Sequence, residues 1–141
     1  MFKHILIGYD GSKGGKAALA GAALLAEQFE ARLTALWVRE PLPRHSDLPG
    51  EFEEEAGAAD EYFQDRQKEV AEVAAQYGLS IACETRRGHP AKTIVTFAKE
   101  SGYNLIVIGH SDHSELWGRL LGDTANRISD HAHCSVLIVK T

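Results

Sequence analysis

Short, branched-rich apolar runs alternate along this chain with segments of helical period, and that alternation restricts the fold more than any other feature. His4-Ile5-Leu6-Ile7, closed by Gly8, is apolar without a break and reads as a strand buried on both faces, central in a sheet. Tyr9-Asp10-Gly11-Ser12 makes a turn with Ser12 as N-cap. Ala18, Leu19, Ala22, Leu25, Ala26 and Phe29 then recur at helical spacing. Gly14, Gly15 and Gly21 weaken that helix, Gly21 by about 1 kcal/mol against alanine, and close packing of helix on sheet is the expected reason for them.

Leu33 to Val38 is a second strand, and the segment Arg39 to Gly50, with Pro41, Pro43 and Pro49, is a surface loop. From Phe52 a long amphipathic helix runs through Ala56, Ala59, Phe63, Val70, Val73 and Tyr77, its stripe interrupted only by Arg66 and its end marked by Gly78. The acidic residues Glu51, Glu53, Glu54 and Glu55 lie in its first turn, where they complement the helix dipole. Ser80 to Thr85 is a third strand, Gly88-His89-Pro90 a turn, and Ile94, Phe97 and Ala98 the inner face of a third helix ended by Gly102. Leu105 to Ile108 is a fourth strand, Thr124 to His131 a last helix, and Val136 to Val139 a final strand. Five strands alternating with four helices predict an α/β fold, a doubly wound open parallel sheet.

At 141 residues the chain has the length of one domain, spanning 1–141. No apolar run approaches the ~20 residues of a membrane span, and the N-terminus has no secretory pattern, so the cytoplasm is expected. A net charge of -5, with basic residues scattered, gives no field for a nucleic-acid backbone. Cys83 and Cys134 read as free buried thiols, and His131, His133 and Cys134 fit no structural zinc spacing, so no metal is assigned.

Chemistry concentrates between Leu105 and Asp123. A strand ending in Gly109, a polar loop, and Gly122-Asp123-Thr124 at a helix start form the usual arrangement of an anion site, with exposed N–H groups at the helix end. Asp10 and Gly109 both fall at strand carboxyl ends, where doubly wound sheets hold ligands. Asp112 and Asp123 oppose that reading, since a carboxylate about 5 Å from a phosphate costs roughly 1–3 kcal/mol. Asp123 also reads simply as the N-cap of the last helix, while Thr124 offers a hydroxyl. The Walker, dinucleotide and nucleophile-elbow glycine patterns are absent, so no enzyme is expected. Trp117 and Leu116 read first as a plug for their loop and second as a partner surface.

The opening Ile-Leu-Ile-Gly-Tyr-Asp-Gly-Ser, the alternation of elements and the closing segment from Gly109 to Val139 resemble a universal stress protein domain over essentially the whole chain. The resemblance implies the strand order 3-2-1-4-5 of the adenine nucleotide alpha hydrolase-like fold. It also implies an ATP, ADP or AMP pocket, with magnesium as a companion of the nucleotide. Asp10 matches the family's base- and ribose-side aspartate, and Val38 falls where the main chain recognises adenine. The family's glycine motif keeps its spacing here but reads Gly109, Asp112, Gly122, Asp123, with two positions changed. A homodimer through the edge strand Val136 to Val139 is likewise implied, and the order places Cys83 and Cys134 on opposite edges. The first expectation is therefore a stress-response, nucleotide-binding dimeric regulator. The alternatives are a dimeric interaction module with a vestigial pocket and, more weakly, a slow ATPase.

Overall fold

A computed structural model describes residues 1–40, 51–110 and 120–141, of which 51–55 and 120–123 are described by their backbone. Strands β1 (His4–Gly8), β2 (Arg32–Arg39), β3 (Ile81–Arg87), β4 (Leu105–Gly109) and β5 (Ser135–Val139) alternate with α1 (Lys13–Phe29), α2 (Glu51–Tyr77), α3 (Pro90–Glu100) and α4 (Leu120–His131). All strand pairs are parallel, in the order β3-β2-β1-β4-β5, in agreement with the alternation of elements and the family resemblance. Ile5 pairs with both Leu33 and Leu105, so β1 is the central strand and the winding reverses between β1 and β4.

The pleat explains why the central runs are unbroken in apolar character. Ile5, Ile7, Leu33, Ala35, Leu105 and Val107 face one layer, built on α1 and α2. Leu6, Leu36, Ile106 and Ile108 face the other, where Ile94 and Ala98 of α3 and Ile128 of α4 cover them. On α1 the covering residues Ala18, Ala22, Ala23 and Ala26 are fully buried, and their small side chains let the helix axis lie close to the sheet.

Gly14 and Gly15 are buried in that contact, as expected. Gly21 is not held by close packing: a methyl group there meets only Val139 Cγ2, at an ordinary 3.7 Å. Gly21→Ala therefore removes the helix penalty of glycine without a clash, and is expected to raise stability by about 1 kcal/mol in urea titration. A loss instead would mean that α1 and β5 lie closer than this geometry.

Gly78 ends α2 in the left-handed region at φ 65°, with Leu79 N donating to Ala74 O at 2.8 Å. The last helix departs from expectation. It begins at Leu120, so Gly122, Asp123 and Thr124 lie within it and Asp123 is not its N-cap. Leu121, Ala125 and Ile128 continue the spacing of four and three upstream of Thr124, and a glycine costs little in a first turn whose N–H groups have no helical partner anyway. Cys83 on β3 and Cys134 beside β5 are free and lie at the two sheet edges. The loop 41–50, with Pro41, Pro43 and Pro49, and the stretch 111–119, with Asp112, Leu116 and Trp117, lie outside the described residues.

Candidate functional site

At the carboxyl ends of β1, β2 and β4 the two windings diverge and leave a cleft of about 270 Å3. Asp10, Val38, Gly109 and Thr124 all line it. Four of the seven residues singled out from the sequence thus meet in one place. Gly122 and Asp123 lie on α4, one helical turn or less before Thr124, and Asp112 is outside the described residues. Glu40, Trp37, Pro90 and Ile94 also line the cleft and were not foreseen. Glu40 had a legible signal, standing two residues past Val38 on the same strand exit.

The turn after β1 is built tightly. Ser12 caps α1 by accepting from Gly15 N at 3.1 Å, and Asp10 Oδ1 accepts from Ser12 N at 3.0 Å. Asp10 is nevertheless exposed, so its carboxylate keeps acceptor capacity toward the cleft. Gly11 has φ 81°, and a methyl group there would meet Arg66 Cδ and Nε at 2.8 Å.

Arg66 is the residue that breaks the apolar stripe of α2, and the structure accounts for it. Its Nη2 donates to Glu69 Oε2 at 3.1 Å, while Nε lies 2.7 Å from Glu69 Oε1 without hydrogen-bond alignment. Its guanidinium stands 4.2 Å from the centre of the Tyr62 ring. Tyr9, only 3% exposed, donates its hydroxyl to Glu69 Oε1 at 2.7 Å. The Tyr62 hydroxyl donates to the main-chain oxygen of Asp10. Burial first, then the bond to Glu69 and its charge, push the Tyr9 phenol above its ordinary value. Partial burial raises the Glu69 carboxyl, but hydrogen bonds from Tyr9 and Arg66 and the Arg66 charge outweigh it, and the group ends below its ordinary value. The Arg66–Glu69 pair on α2 thus ties that helix to Tyr9 at the floor of the cleft.

Gly109 has a structural reason that the loop pattern did not reveal. A methyl group on it would lie 2.1 Å from Gly14 O and 2.3 Å from Gly14 C, main chain against main chain. The end of β4 and the start of α1 touch through backbone alone, which forms the base of the cleft. Among the described residues, the cleft lining has two carboxylates, Asp10 and Glu40, and no lysine or arginine. No group of three or more candidate metal ligands occurs among the described residues.

Parallel order, a switch point between β1 and β4 and a cleft above it define a doubly wound α/β domain. The profile of the universal stress protein family matches residues 1–140, and the chain belongs to that family. It is 35% identical to universal stress protein MJ0531 of Methanocaldococcus jannaschii, over 99% of this chain and 83% of that protein. It is 34% identical to universal stress protein YxiE of Bacillus subtilis, over 99% of this chain and 100% of that one. Among solved structures, universal stress protein UspA from Lactobacillus plantarum superposes with a TM-score of 0.76 at 29% identity, covering 98% of this chain and 97% of that one. A universal stress protein in complex with cAMP gives 0.73 at 23% identity, covering 97% and 96%. An Arabidopsis thaliana family member with AMP bound gives 0.72 at 15%, covering 98% and 91%.

Proposed function

We propose that this protein is a stress-response regulator that binds an adenine nucleotide in the cleft at the β1/β4 switch and works as a cytoplasmic homodimer. The observation that carries the reading is the convergence of Asp10, Val38, Gly109 and Thr124 on one cleft. The main chain at Val38 takes the adenine edge, the Asp10 carboxylate accepts from ribose hydroxyls, and the Gly109–Thr124 side receives the 5′ end of the ribose. Relatives of the same fold hold cAMP and AMP, which supports an adenosine-sized occupant. Self-association runs through β5, an edge strand whose Leu137 is 38% exposed. Nucleotide acts by shifting the population of a partner-binding conformation, and the protein is not an enzyme.

Calorimetry on the full chain with adenosine, AMP, ADP and ATP, with and without magnesium, tests this. Binding is expected, and Asp10→Asn is expected to weaken it about tenfold by removing a charged acceptor. The carboxylates of Asp10 and Glu40 in the cleft favour a second reading, an interaction module whose pocket holds no nucleotide. Absence of heat with all four ligands would leave that reading in place. Phosphate release that vanishes in Asp10→Asn would instead establish an ATPase.

A further inference from the structure

The cleft does not close at Pro90 and Thr124. Both residues, together with Glu40, also line a second hollow of about 530 Å3 between the start of α3 and the outer face of α4. The two spaces therefore share a rim. Their charge is opposite. The adenosine-sized cleft carries Asp10 and Glu40, whereas the second hollow is walled by Lys92 and His89 from one side and Arg127 and His131 from the other. Glu40, on the shared rim, is its one carboxylate among the described residues. Lys92 and Arg127 are exposed and make no ion pair with any described residue, so no described carboxylate neutralises them.

We infer that the hollow between α3 and α4 is a phosphoryl subsite: a nucleoside phosphate seated in the cleft turns its phosphate past Pro90 and Thr124 toward Lys92 and Arg127. This rests on the nucleotide reading above and specifies it further. An anion leaving the cleft passes from a region lined by carboxylates to one lined by two cations, and each cation within about 6 Å favours it at the dielectrics of a protein surface. Sequence motifs give no sign of the site, because Lys92 and Arg127 are far apart in the chain and line one hollow only when α3 and α4 are side by side.

The test is calorimetry of adenosine and AMP on the full chain and on the Lys92→Gln/Arg127→Gln double variant, with thermal melts to show that both fold alike. AMP is expected to bind the natural chain about tenfold more tightly than adenosine does. In the double variant that advantage disappears, while adenosine affinity stays within about twofold because neither side chain lines the cleft. An AMP advantage that survives the double change would overturn the subsite and place the phosphate elsewhere. So would AMP binding no tighter than adenosine. If neither ligand binds the natural chain, the nucleotide reading itself falls and the subsite falls with it.

Discussion

Gly109→Ala is expected to destabilise the protein by at least about 3 kcal/mol, the upper range for overpacking a rigid interior. The added methyl would lie 2.1 Å from Gly14 O and 3.0 Å from Gly15 N, so no side-chain rotation relieves the contact. The start of α1 must move away from the sheet or β4 must bend. Gly8→Ala is the matched control. There the methyl meets Ile94 Cδ1 at 3.1 Å, the end of a flexible side chain, and a cost near 1 kcal/mol is expected. Urea denaturation of the two variants measures the difference. Equal losses would show that β4 and α1 do not touch through main chain.

The second large effect concerns Glu69. Glu69→Ala leaves the buried Tyr9 hydroxyl without its acceptor and the Arg66 guanidinium without its partner, and a loss of about 2–3 kcal/mol is expected near neutral pH. The full penalty of a buried ion pair does not apply, because the Arg66 and Glu69 side chains are 17% and 28% exposed. The linked pH dependence has a definite sign. The folded-state value of Glu69 lies below its ordinary 4.5, so its contribution is complete above that pH and is lost as pH falls through the lower folded value. The gap in stability between the natural chain and Glu69→Ala should therefore narrow on acidification below about 4.5. A gap that is constant with pH would mean that the carboxylate charge plays no part in holding α2.

The two variants also mark where reading from sequence succeeds. Uninterrupted apolar runs such as Ile5-Leu6-Ile7 and Leu105 to Ile108 require a sheet covered on both faces, and alternation with helices then leaves few topologies. Asp10 and Gly109 are recognisable as cleft residues from their place at strand exits alone. Arg66 is not interpretable in this way, because the group it holds includes Tyr9 in the turn after β1, and only packing shows that an arginine in an apolar stripe is neutralised. Gly109 has a structural reason in addition to the one the loop pattern suggests. The loop pattern points to ligand approach, while the nearest obstacle to a side chain is the backbone of α1. Asp123 is mistaken for a cap because Gly122 resembles a boundary, although the apolar spacing continues through it. Lys92 and Arg127 are invisible for a simpler reason: surface cations have no periodicity, and proximity across two helices leaves no mark on either.

The central position of β1 has a consequence for biogenesis. His4 to Gly8 leaves the ribosome well before Leu105 to Gly109, yet one flank of that strand waits for this partner. Until then an apolar edge stands open, and the cleft lacks the side formed by β4 and α4. A product terminated before β4 would therefore lack Gly109 and Thr124 of the cleft and would keep an apolar edge open to pairing with other chains.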